Sequence, residues 1–201
     1  SPHGANTAVS SFDNYVILTS WLDNHVKIMR PDTGEIVESF EGLNLPVSAT
    51  KYNDQIAVAL HGNKSIMLFN PGTGEREILA DGFEAPTHVI NYGEDLVVSD
   101  RSKGQVIRID VSGNKEVLID GLDSPEGMAY KDNALYIFEG NTGDIKKYQN
   151  NQISVIASVM PGSNALSELQ PPSVILNGLA IKGDYLYISG ELERSLFRLK
   201  I

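Results

Sequence analysis

The sequence predicts an all-β chain, a β-propeller with four-stranded antiparallel blades, and three observations carry the prediction. A strand pattern recurs about every forty residues, the same turn residues return in the same frame, and one glycine-to-proline link separates successive units. The second strand of each unit shows the period most plainly. Val16, Ile56, Leu96, Leu135 and Leu186 are spaced by 40, 40, 39 and 51 residues. Two residues beyond each lie Leu18, Val58, Val98, Ile137 and Ile188, the period-2 alternation of a strand with one buried face.

The turns follow the same frame. Arg30-Pro31-Asp32-Thr33-Gly34-Glu35 and Asn70-Pro71-Gly72-Thr73-Gly74-Glu75 are followed by Asp110-Val111-Ser112-Gly113-Asn114-Lys115 and then by Asn150-Asn151, each a hairpin turn. Gly42, Gly82 and Gly121 precede Pro46, Pro86 and Pro125 by four residues, so a Gly-x-x-x-Pro link closes one unit and opens the next. A unit then holds four short strands, for instance 47–53, 55–60, 65–70 and 75–80. A β-sandwich also has short strands and frequent turns, but it has no reason to repeat one glycine and one proline at a fixed interval.

Five blade units follow, at about 1–43, 44–83, 84–122, 123–160 and 174–201, with an insertion at 160–173 carrying Pro161, Pro171 and Pro172. The fifth unit runs through 176–182, 185–189 and 195–201 and has no fourth strand. Only about five residues precede the first inner strand near Thr7, too few to supply the missing one. The expectation is that the chain forms the C-terminal five blades of a six-bladed ring, the alternative being a five-bladed ring with a ragged last blade. An open ring exposes unpaired blade edges, which leads to an expected homo-oligomer through those edges.

Composition excludes several classes. Of the residues, 41% are hydrophobic and 21% charged, and no apolar run approaches the roughly 20 residues a membrane helix needs, so no membrane span is expected. A net charge of −10, with sixteen scattered Lys and Arg, argues against nucleic acid as a partner. The chain has no cysteine, which removes disulfides and thiolate metal sites. No phosphate-binding glycine loop ahead of a helix, nucleophile elbow or His-Glu-x-x-His pair is present. The first residue is Ser1, which is compatible with a removed signal peptide; an extracellular or periplasmic location is the expectation.

In an up-and-down blade, the link into the inner strand and the loop between the second and third strands share one face. The link positions place His3, Val47, Thr87, Glu126 and Asn177 at the mouth of the central channel. The loops add Trp21, His61, Asp100, Arg101, Glu139 and Glu191, and the 160–173 insertion falls on the same face. Each candidate has a plainer alternative. Asp100 and Glu139 can cap turns or pair with Arg101 and Lys103, Trp21 can be a rim aromatic or a plug over the first blade, and His3 can be a frayed terminus. His61 and His88 read first as ordinary loop or strand-edge residues. Glu126 is the strongest candidate, because a carboxylate at a channel mouth has few structural duties.

Ser1-Pro2-His3-Gly4-Ala5, Ser124-Pro125-Glu126-Gly127-Met128-Ala129 and Leu176-Asn177-Gly178-Leu179-Ala180 resemble the Pro-x-Gly-hydrophobic-Ala blade openings of virginiamycin B lyase-like propellers. The gluconolactonase, senescence marker protein and strictosidine synthase group and the NHL repeats are similar, and Leu135-Tyr136-Ile137-Phe138-Glu139 with Gly143-Asp144-Ile145 resembles their second and third strands. The lactonase resemblance implies calcium or another divalent cation in the channel, with Glu126, Asn177, Asp100 and Glu139 as ligands; calcium takes six to eight oxygens, which suits such a set. The lyase resemblance implies a histidine base beside a metal, for which His3 sits in a Pro-His-Gly setting; Glu126 is the other catalytic candidate. The NHL resemblance implies a non-catalytic face binding a small molecule or a protein through Trp21, His61, Arg101 and Glu191. A metal-dependent lactonase or lyase and a ligand- or partner-binding propeller are therefore the two functional expectations, and the fold alone does not choose between them.

Overall fold

The computed structural model describes residues 8–159, 178–190 and 195–201. The blade residues form four four-stranded antiparallel sheets and one three-stranded sheet, with no helix among the described residues. The first blade is β1 (Ala8–Phe12), β2 (Tyr15–Ser20), β3 (His25–Met29) and β4 (Ile36–Phe40). The second is β5 (Pro46–Tyr52), β6 (Gln55–Leu60), β7 (Ser65–Phe69) and β8 (Arg76–Ala80). The third is β9 (Pro86–Tyr92), β10 (Asp95–Asp100), β11 (Gln105–Ile109) and β12 (Lys115–Ile119). The fourth is β13 (Pro125–Lys131), β14 (Ala134–Glu139), β15 (Asp144–Gln149) and β16 (Gln152–Ser158). The fifth is β17 (Leu179–Lys182), β18 (Tyr185–Gly190) and β19 (Ser195–Lys200). The strand boundaries expected for the second blade hold to within a residue, whereas the first strand of the fifth begins at Leu179 and not at 176. The 160–173 insertion lies outside the described residues.

Turn chemistry sets the hairpins. Asp132 and Asn133 take φ values of 52° and 60°, and Asn150 and Asn151 values of 53° and 60°. Consecutive positive φ angles make the two-residue turn whose twist matches the flanking strands, and Asn and Asp tolerate that region better than other side chains. In the Pro-x-Thr-Gly turns, the N–H of Arg30 and of Asn70 donates to the carbonyl of Glu35 and of Glu75 at 2.9 Å, closing a short loop around Gly34 and Gly74.

Alternation sends opposite faces of each sheet into successive interfaces between blades. Ile17, Val26 and Ile28 meet Ile56, Val58 and Phe69 between the first two blades. Ala57, Ala59 and Leu68 meet Val89, Leu96 and Val98 between the next two. Val97 and Val106 then pack on Met128, Leu135 and Ile137, and Tyr136, Phe138 and Ile145 on Leu179, Leu186 and Ile188. Full burial of an Ile or Leu contributes about 1.5–3 kcal/mol, so these four seams hold the blades in order. The inner strands β1, β5, β9, β13 and β17 pack in sequence and line a central channel.

Candidate functional site

The entry to each inner strand carries a local irregularity that matters for the site. Pro46 pairs with Leu60 and Ser48 with Ala59, Pro86 with Asp100 and His88 with Ser99, and Pro125 with Glu139 and Met128 with Ile137. Val47 and Thr87 are therefore extra residues opposite a continuous partner strand, and Glu126 and Gly127 together oppose the single residue Phe138, which defines β-bulges. A bulge breaks strict alternation, so neighbouring residues turn the same way. Thr87 and His88 both line the channel, as do Glu126 and Gly127.

The channel holds a cavity of about 350 Å³, with Val47, Thr87, His88, Glu126, Leu179 and Ser189 in its wall. Val47, Thr87 and Glu126 thus lie where the link positions placed them. Glu126 is 2% exposed, and its Oε1 sits 3.2 Å from Nε of Arg101, which reaches in from the loop after β10. Arg101 Nε is buried, and by direction its N–H is not aimed well enough at the carboxylate to count as a hydrogen bond. The contact is an ion pair by distance, and with Glu126 buried it is costly to break on one side only. The Arg101 N–H donates to the Ala85 carbonyl at 2.9 Å, so the loop carrying this cation is tied to the link that delivers Thr87.

His61 joins the same group from the loop after β6. Its pKa is lowered, first by burial, opposed by a hydrogen bond to the Pro86 carbonyl and by the nearby Asp100 carboxylate. The structure therefore brings His61, Asp100, Arg101 and Glu126 into one neighbourhood. Asp100 is fully buried, and its two oxygens accept the N–H groups of Glu84 at 2.7 Å and Ala85 at 2.9 Å, with a longer bond from Lys103 N–H at 3.4 Å. Glu139 has the same duty one blade on. It is 1% exposed and accepts the Asp123 N–H at 2.7 Å, the Thr142 hydroxyl at 3.3 Å and the Lys146 ammonium at 2.7 Å. Both carboxylates cap the links between blades, the plainer of their two expected roles. Trp21 packs against the core between the second and third blades, as a plug does. His3, Asn177 and Glu191 lie outside the described residues.

Two residues that the sequence reading did not promote shape the site. His88 lines the cavity, with Nδ1 accepting the Met128 N–H at 3.0 Å, and burial lowers its pKa from 6.5 to about 4. Ser99 is fully buried; its hydroxyl donates to the Glu126 carbonyl at 2.9 Å and accepts the His88 N–H at 3.1 Å. That hydroxyl ties the walls bearing His88 and Glu126 to each other. The signal for His88 was its place directly after the link residue, legible only once the bulge is known.

Among the described residues, no group of three or more His, Asp and Glu converges as a metal shell would require. Of the expected ligands, Asp100 is held by main-chain donors, Glu139 by a main-chain donor and Lys146, and Glu126 stands beside a guanidinium, while Asn177 lies outside the described residues.

Five sheets arranged around a channel make this chain a β-propeller. No protein-family model matches its sequence, and no curated protein matches it. Solved structures do resemble it. A chain of the nidogen/laminin complex is 14% identical with a TM-score of 0.77, over 94% of this chain and 72% of that one. Virginiamycin B lyase from Staphylococcus aureus is 14% identical with a TM-score of 0.70, over 99% and 71%. The computationally designed Ika8 protein is 16% identical with a TM-score of 0.61, over 97% of this chain and 58% of its own length. The chain thus spans 58% of the designed protein's length, and at these identities the likeness is one of fold.

Proposed function

We propose that the protein binds a small organic molecule in its central channel, at the wall formed by Thr87, His88 and Glu126. The observation that carries this reading is the cavity of about 350 Å³, apolar over most of its wall and interrupted by a few polar side chains on bulged strand entries. Mostly apolar walls with a few fixed polar groups, in a volume of this order, are what small-molecule sites look like. The loop face offers less for a protein partner among the described residues, since Trp21 packs onto the core and Arg101 turns inward to Glu126.

The test is a thermal-shift screen of a small-molecule library on the parent and on Ala180→Trp, which places an indole in the cavity wall. A ligand that binds only the folded state raises the melting temperature by mass action. Compounds that stabilise the parent and lose their effect in the filled variant support the reading; hits that stabilise both equally overturn it. Lactonase or lyase activity would need a metal centre completed by residues other than those described. Its test is calcium titration of the parent and of Glu126→Gln.

A further inference from the structure

We infer that His88 is a fixed hydrogen-bond donor that selects an uncharged ligand bearing a carbonyl-type acceptor on an apolar body; this rests on the channel reading given above. His88 Nδ1 accepts the Met128 N–H at 3.0 Å, so in the neutral imidazole the proton resides on Nε2. That nitrogen has no hydrogen-bond partner among the described residues, although the ring is part of the cavity wall. The backbone holds the ring in place from both ends. The His88 N–H is bonded to Ser99 Oγ at 3.1 Å, Ser99 Oγ donates to the Glu126 carbonyl at 2.9 Å, and the following Val89 N–H is bonded to Ser48 Oγ at 3.3 Å.

The rest of the wall narrows the ligand's chemistry. Among the described residues, the titratable groups lining the cavity besides His88 are Glu126 on β13 and Tyr187 on β18. Glu126 already faces the Arg101 guanidinium at 3.2 Å, so the described part of the wall offers no uncompensated charge to an ammonium or a carboxylate. The Thr87 hydroxyl donates to the Ala85 carbonyl at 2.9 Å, which spends its proton. His88 Nε2–H is left as the side-chain donor facing the cavity from β9. A buried donor that gains an acceptor contributes to binding, and one left facing an apolar or cationic group costs binding, so the site rejects ligands without an acceptor there. Burial with no charged neighbour lowers the ring's proton affinity, so the donor persists in the same form through the neutral range.

The test uses isotope-labelled full chain and four probes that share one ring: N-cyclohexylacetamide, cyclohexylacetate, cyclohexylammonium and methylcyclohexane. Long-range proton–nitrogen spectra read the imidazole tautomer directly, with His88→Gln providing the assignment. The expected result is an Nε2–H tautomer for His88 that does not titrate between pH 5 and pH 8, and an amide probe that shifts both the Nε2 signal and the Met128 amide. The amide should bind about tenfold more weakly to His88→Leu than to His88→Gln, the loss of one hydrogen bond. An Nδ1–H tautomer or a titration near the ordinary histidine value in the parent overturns the donor assignment, even where a variant fails to fold. Channel shifts caused by the ammonium or the carboxylate in preference to the amide overturn the ligand class while leaving channel binding intact. Probes that perturb no channel resonance overturn both.

Discussion

Replacing Asp100 with alanine removes a carboxylate that no solvent reaches and strands the main-chain donors it serves. Its oxygens accept the Glu84 and Ala85 N–H groups at 2.7 and 2.9 Å, and that of Lys103 at 3.4 Å. Hydrogen bonds to a charged acceptor are worth roughly 1.5–3 kcal/mol each, and an unsatisfied buried donor costs a similar amount. Counting the two short bonds, the variant should lose about 4 kcal/mol. For a chain of this size each kcal/mol moves the melting temperature by about 2–4 °C, which puts the expected drop on the order of 10 °C. Differential scanning calorimetry of Asp100→Ala, Asp100→Asn and Glu84→Ala measures it. Asn keeps one acceptor and should lose about half as much, whereas Glu84→Ala keeps its N–H bond and should lie within about 0.5 kcal/mol of the parent. A drop of less than about 2 °C in Asp100→Ala would show that the link into β9 does not depend on this cap, and with it the reasoning that fixes Thr87 and His88 in the channel would fail.

Further outcomes follow from the same geometry. A methyl group added at Gly140 collides with the Glu126 carboxylate, so Gly140→Ala should displace it from Arg101 and weaken channel binding at least tenfold, read by calorimetric titration with any hit from the screen. Because His88 is held at about 4 against 6.5 in the unfolded chain, the unfolded state takes up the proton first. The stability tied to its neutral ring is complete above pH 6.5 and is lost as the pH falls toward 4, on the order of 2 kcal/mol between pH 7 and pH 5. Urea unfolding at both pH values should show this loss in the parent and not in His88→Gln. Glu139→Ala removes the partner of Lys146 and a cap on Asp123 together, and with Lys146 partly exposed it should cost about 3 kcal/mol in the same assay. Millimolar calcium should leave the parent's melting temperature unchanged, and a rise abolished by Glu126→Gln would restore a metal centre at the channel mouth.

The propeller was legible because its determinants are local and repeated. Period-2 alternation at Val16, Ile56, Leu96 and Leu135, paired turn residues such as Asn150-Asn151, and the Gly-x-x-x-Pro links each dictate their own element, and five repetitions leave one architecture. The channel positions of Val47, Thr87 and Glu126 were legible for the same reason, since the link proline fixes where an inner strand begins. His88 was not. Strict alternation turns the residue after Thr87 away from the channel, and only the bulge opposite Ser99 and Asp100 turns it back. The roles of Asp100 and Glu139 were open in sequence, because a loop carboxylate that caps a link and one that binds a ligand occupy the same position. What separates them is the direction of the neighbouring N–H groups, a property of the assembled blades. Arg101 appeared as a surface candidate for a partner, and its turn inward to Glu126 depends on contact between two blades some twenty-five residues apart in sequence.

The most direct measurement of the central claim is a crystallographic fragment soak of the full chain. The account predicts difference density in the channel beside Thr87, His88 and Glu126, with an acceptor atom facing His88 Nε2. Fragments found only on the outer strands or the loop face, with the channel holding solvent, would contradict it.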